Sequence, residues 1–171
     1  MTPTLYLLCG TAFSGKTTLG RAIARHTGFQ VVSTDEINAV RGLAGGDGIP
    51  AEEWEKTHAI ALSWLGELMR SGRDLVVDDT NCFRWIRDRF RAVAERHGYA
   101  TRVVHLDLPE AEVRERRRRN QATAERPQVV DDVFESHLAT FEAPEGDEEV
   151  LRFAPGQDLD GWLREHFGVP D

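Results

Sequence analysis

Apolar residues recur along the chain in two alternating patterns. Short unbroken apolar runs read as strands buried on both faces of a parallel sheet. Longer stretches with apolar residues three and four apart read as amphipathic helices. Residues 4–9 form the first run, followed by a glycine-rich turn and a helix over about 17–26. Residues 29–33 predict a second strand, with a short helix starting near Asp35. Residues 42–50 carry four glycines and predict a mobile loop. Beyond it Trp54, His58, Ala61, Leu62, Leu65, Leu68 and Met69 fall at helical spacing, so 51–70 reads as a helix with Trp54, Trp64 and Met69 in the core. Residues 75–77, 101–106 and 149–153 predict three more strands. Residues 83–97, 109–120, 131–141 and 160–167 predict further helices. Strands alternating with helices give an α/β domain with a mostly parallel five-stranded sheet.

The chain has 171 residues, enough for one domain, 1–171, with its own core. Hydrophobic residues make up 40% and charged residues 29%, which excludes wholesale disorder. No apolar run approaches the ~18–20 residues a membrane helix needs. The run Leu5-Tyr6-Leu7-Leu8 is too short for a signal peptide. Cys9 and Cys82 do not make a disulfide framework, so a cytoplasmic protein is expected. The net charge of -8 argues against a protein that coats nucleic acid. No metal-ligand spacing involves the histidines or cysteines.

Of the 21 basic residues only Lys16 and Lys56 are lysines, and Lys16 lies in the most specific motif of the chain. Gly10, Thr11, Ala12, Phe13, Ser14, Gly15, Lys16 and Thr17 fit GxxxxGK[ST], between a buried strand and a helix. The four fixed positions arise by chance in well under ~2% of chains this long. Glycines let the backbone aim N–H groups at phosphate oxygens, and the helix N-terminus adds partial positive charge. Lys16 is expected on the β- and γ-phosphates and the Thr17 hydroxyl on Mg²⁺, with Thr18 adding a phosphate hydrogen bond.

Three acidic or basic features accompany the loop. Asp35 follows the second strand and would sit near the γ-phosphate if that strand flanks the first, where a carboxylate can take a proton from an attacking hydroxyl. Ser33-x-x-Glu36 around it is equally a helix capping box. Asp78, Asp79, Thr80 and Asn81 end the third strand; an acid there can serve Mg²⁺ or orient an acceptor, or the group can cap the next helix. Arg114, Arg116, Arg117, Arg118, Arg119 and Arg126 cluster on one helix and the turn after it. Glu112–Arg116 and Glu115–Arg119 can pair at i,i+4. The remaining arginines suggest a helical lid over about 114–130, or a nucleic-acid-binding stripe.

In this order the motifs resemble the small P-loop kinases: the polynucleotide 5′-hydroxyl kinase family and its zeta-toxin-like and chloramphenicol-phosphotransferase relatives. The resemblance covers roughly residues 5–141. It implies a kinase-type P-loop NTPase fold, three layers α/β/α with a helical lid, and transfer of the γ-phosphate of MgATP to an acceptor hydroxyl. Among acceptors a nucleic-acid 5′ end fits the motif order best, with an antibiotic or metabolite as the alternative. A nucleotide-binding regulator with little turnover is the alternative of another class. By the same resemblance Lys16 and Thr17 serve ATP and Mg²⁺; Arg126 is a further candidate for ATP and Asp78 for Mg²⁺. Asp35 is the general base, Asp79, Thr80 and Asn81 face the acceptor, and Arg116 or Arg119 is the lid arginine. Residues 42–50 match nothing in that pattern.

Overall fold

The computed structural model describes residues 2–43, 48–125 and 129–169. Five strands form one all-parallel sheet: β1 (Thr4–Cys9), β2 (Gln30–Ser33), β3 (Leu75–Asp78), β4 (Ala100–Leu106) and β5 (Val150–Phe153), in the order β2-β3-β1-β4-β5. The helices are α1 (Lys16–Thr27), α2 (Thr34–Val40), α3 (Ala51–Leu68), α4 (Arg84–Arg96), α5 (Glu110–Thr123), α6 (Asp131–Thr140) and α7 (Leu159–Phe167). The expected three layers are present, and the sheet is parallel throughout.

Side-chain alternation along β1 assigns the two faces. Leu5 and Leu7 enter the core under α3 and α4, with Leu65, Val77 and Phe90. Tyr6 and Leu8 enter the opposite core under α1 and α7, with Ile23, Val104 and Trp162. Burial on both faces explains why these strands read as unbroken apolar runs.

Three expectations change. β1 lies between β3 and β4, and β2 pairs with β3, one strand further out. Trp64 is exposed on α3 and Trp54 half-buried, so of the three presumed core residues only Met69 is fully buried. Helix α5 runs on through Asn120 to Thr123 where a polar turn was expected, and stops at Ala124 in the left-handed conformation (φ 52°). Arg126, and part of the 42–50 loop and of the 114–130 lid, lie outside the described residues.

The register gathers the functional ends. Leu8 and Ser33 both pair with Asp78, so β1, β3 and β2 finish level. A buried ion pair braces this edge from below. The Arg87 Nε and Nη2 donate to Glu148 at 2.7 and 3.0 Å, and its Nη1 donates to the carbonyls of Asn81 and Glu142 at 2.8 and 2.9 Å.

Candidate active site

The loop between β1 and α1 has the backbone that its glycines allow. Gly15 takes φ 101°, a left-handed conformation, and caps α1 without any side-chain hydrogen bond. A side-chain cap would compete for the first-turn N–H groups; here they stay open to an anion. A Cβ at Gly10 would lie 2.7 Å from Ser14 Oγ and 3.3 Å from the Leu106 carbonyl, so a larger residue there would displace Ser14. Phe13 also has a positive φ, 64°. The Lys16 ammonium donates to the Thr11 carbonyl at 2.7 Å, across the loop. Ser14 Oγ is buried without a hydrogen-bond partner among the described residues. Burial lowers the Lys16 pKa, and the nearby charges of Asp78, Asp79 and Asp35 pull it back up.

The two adjacent acids at the end of β3 face different partners. Burial raises the Asp78 pKa, with the neighbouring Thr17 hydroxyl and the Lys16 charge opposing. Two hard oxygen donors side by side suit Mg²⁺, whose other positions go to water and phosphate oxygens. Among the described residues no cluster of three His, Cys, Asp or Glu forms an all-protein metal cage. Asp79 is turned toward β2 and α3. It accepts from His58 Nε2 at 2.8 Å and from the Thr80 N–H at 2.7 Å, while the Thr34 hydroxyl donates to the Asp78 carbonyl at 3.4 Å. Burial alone would raise Asp79, but these bonds outweigh it and its pKa falls below the usual value. Neither acid caps α4, whose first N–H, that of Arg84, donates to Glu142 Oε2 at 2.5 Å.

Asp35 reaches this site although β2 does not flank β1. Ser33 Oγ accepts from the Glu36 N–H at 3.3 Å, the expected cap, and fixes the first turn of α2. Asp35 opens to solvent at the mouth. The surrounding protein and the Asp79 charge raise its pKa, with Lys16 opposing. Asp35, Lys16, Thr17, Asp78 and Asp79 thus stand together.

Thr80 and Asn81 play a different structural part. The Thr80 carbonyl accepts from the Gly10 N–H at 3.1 Å. Asn81 is wholly buried, and its Nδ2 donates to the Leu8 carbonyl at 2.8 Å. Both tie the end of β3 to the start of the phosphate loop. Cys9 is buried beneath them, its thiol pKa pushed up to about 12 by burial.

On the other side of the loop α5 closes a cleft of about 650 Å³, walled by Thr18, Arg116, Arg119 and Asn120 and by the 154–157 turn after β5. Arg116 Nη1 donates to the Ser14 carbonyl at 3.0 Å and its Nη2 pairs with Glu112. Arg119 is exposed and pairs with Glu115. The other arginines of α5 are paired too: Arg114 with Glu110 and Glu135, Arg117 with Asp131, Arg118 with Glu115. Acids of α6 supply the partners that spacing within α5 could not.

A family model for an AAA domain, AAA_33, matches residues 5–144. The chain belongs to the AAA_33 family. No curated protein matches the sequence. Solved structures match along nearly the whole AAA_33 chain. Kti12 of Chaetomium thermophilum in complex with ADP-AlF3 has a TM-score of 0.76 at 13% identity, over 98% of this chain and 99% of its own. The APS kinase CysC of Mycobacterium tuberculosis, in complex with AMPPNP and APS, has 0.70 at 14%, over 96% and 95%. A gluconokinase of Sinorhizobium meliloti 1021 has 0.64 at 22%, over 95% and 89%. At these identities the likeness is one of fold, the P-loop kinase fold. Among the described residues no helix is long and apolar enough to cross a membrane.

Two histidines stand in the site that motif reading did not assign to it. His58 holds Asp79, and His137 on α6 lies within electrostatic reach of both Lys16 and Asp79. His58 carries a faint signal in the sequence, a polar residue on the apolar face of α3.

Proposed function

We propose that this AAA_33 protein is an ATP-dependent phosphotransferase whose acceptor is a hydroxyl of a small molecule. The observation that carries the reading is Asp35 beside Lys16 and Asp79 at the mouth of a phosphate-binding loop. A carboxylate whose pKa is raised is a better-matched proton acceptor near neutral pH. The first-turn N–H groups of α1 and the Lys16 ammonium would hold the β- and γ-phosphates. The cleft between Arg116 and the 154–157 turn has room for the base. Thr17 and Asp78 are the residues that would hold Mg²⁺, which supplies charge neutralisation at the phosphate oxygens. Asp35 takes the acceptor hydroxyl proton as the acceptor oxygen bonds to phosphorus, and the bond to the β–γ bridging oxygen breaks to release ADP. Lys16 neutralises charge on that leaving oxygen.

The small-molecule acceptor is favoured over a nucleic-acid 5′ end by the α5 arginines. Each already faces a carboxylate, though Arg118 and Arg119 share Glu115, so little unpaired positive charge is left on the helix for a phosphate backbone. The net charge of -8 points the same way. APS kinase and gluconokinase, which share the fold, are named for small acceptors. The test is transfer of labelled γ-phosphate from MgATP to a panel of sugars, sugar acids, nucleosides and hydroxylated antibiotics beside a 5′-hydroxyl oligonucleotide. Label on a small molecule, insensitive to salt, is expected. Label on the oligonucleotide with steep loss at higher salt would restore the nucleic-acid reading. ATP bound with no acceptor labelled would favour the regulatory module.

A further inference from the structure

Helix α6 crosses the site as a roof pinned at both ends. At its start the buried Phe134 ring meets the Phe13 ring of the phosphate loop edge-on, centroids 6.1 Å apart. The Arg117 guanidinium lies over the same Phe134 ring, 4.4 Å from its centroid. Just beyond its end the Phe141 ring stacks on His105 of β4 at 5.8 Å, and the Glu142 N–H donates to the Cys82 carbonyl at 2.8 Å. The roof therefore runs from the phosphate loop to the turn that follows Asp79. His137 lies between the pins, three residues after Phe134 and so on the same side of α6 as that ring.

His137 is half-buried there, and the charges of Lys16 and Asp79 both act on it. Lys16 marks where the terminal phosphate is held, and Asp79 marks the acceptor side. The space between them is the path of the transferred group. Burial and the Lys16 charge lower the His137 pKa, with the Asp79 charge opposing, which favours the neutral ring with one N–H to donate.

We propose that His137 is a terminal-phosphate ligand, which donates a ring N–H from α6 to a γ-phosphate oxygen of the bound nucleotide. The proposal rests on the phosphotransferase reading and adds a contact from the roof that the phosphate loop cannot make. It predicts a ligand-specific effect. ADP ends short of His137, and a nucleoside triphosphate reaches it.

The experiment compares binding of MgADP and MgAMPPNP, by calorimetry, to the full chain and to His137→Ala and His137→Asn. His137→Ala should weaken AMPPNP by about tenfold, equivalent to about 1.4 kcal/mol, and leave ADP within about twofold. His137→Asn, which keeps an N–H donor, should recover part of the loss. Equal weakening of both nucleotides in the two variants would mean a structural role and would overturn the proposal, as would no change in either. If the unaltered protein bound neither nucleotide, the phosphotransferase reading itself would fall, and the proposal with it. Unfolding midpoints matching the parent protein, in at least one variant, keep the comparison clean.

Discussion

Glu148→Gln should destabilise the protein far more than its chemical modesty suggests. The Arg87 guanidinium is 1% exposed and the Glu148 side chain 0%. Two of the guanidinium's hydrogen bonds end on Glu148, and two more hold the carbonyls of Asn81 and Glu142. Glutamine keeps the shape but removes the charge, and turns an amide N–H₂ toward a group that can only donate. Breaking one side of a buried ion pair costs about 3–5 kcal/mol. For a chain of this length 1 kcal/mol shifts the melting temperature by roughly 2–4 °C, so the midpoint should fall by roughly 6–20 °C. Arg87→Met should cost a similar amount. The double variant should cost less than the sum, with a coupling of about 2–3 kcal/mol, because neither charge is then stranded. Thermal unfolding followed by tryptophan fluorescence reads the midpoint and urea unfolding the coupling, since Trp162 is buried in the opposite core. A midpoint shift under about 2 °C, or a coupling within about 0.5 kcal/mol of zero, would refute the claim that the pair is desolvated and strongly coupled. The variant should also loosen the turn after Asp79, because Arg87 anchors it through Asn81.

Two further predictions concern the same edge of the sheet. Asn81→Ala leaves the Leu8 carbonyl unpaired in the interior, worth about 1–3 kcal/mol, and puts alanine at φ 46°, worth a further ~1–2 kcal/mol. A denaturation midpoint unchanged by that variant would show that the amide is dispensable. His105 is buried, and burial lowers its pKa, with Asp107 opposing. The folded pKa thus lies below the unfolded value of about 6.5, so the unfolded chain binds the proton first and stability drops as pH falls below about 6.5. His137 adds to the slope with the same sign. Urea midpoints between pH 7.5 and 5.5 should show the drop, and His105→Asn should flatten it; an equal slope in that variant would remove His105 from the account.

Much of the fold is legible because its signals are local. The apolar run of β1, the glycines and lysine after it, and the Ser33 cap of α2 depend on residues within a few positions of each other. The strand order is not local. Nothing in residues 29–35 says that β3 will come between β2 and β1, yet that insertion decides how Asp35 approaches Lys16. Asp78 and Asp79 are chemically identical and adjacent. Only the pairing of Leu8 and Ser33 with Asp78 shows which acid faces Thr17 and which faces His58. The arginines of α5 suggest an open cationic lid because their partners Asp131 and Glu135 lie on another helix. Trp64 keeps helical spacing with the core residues but falls just past the edge of the buried stripe.

The most direct test of the central claim is γ-phosphate transfer by Asp35→Ala, with nucleotide affinity measured on the same preparation. Proton-transfer catalysis is worth roughly 10²–10⁴-fold, so turnover on the labelled acceptor should fall by that factor while MgATP affinity stays within about twofold. Transfer at the parent rate would contradict the assignment of Asp35 as the base. Loss of nucleotide binding in parallel with turnover would contradict its place on the acceptor side of the site.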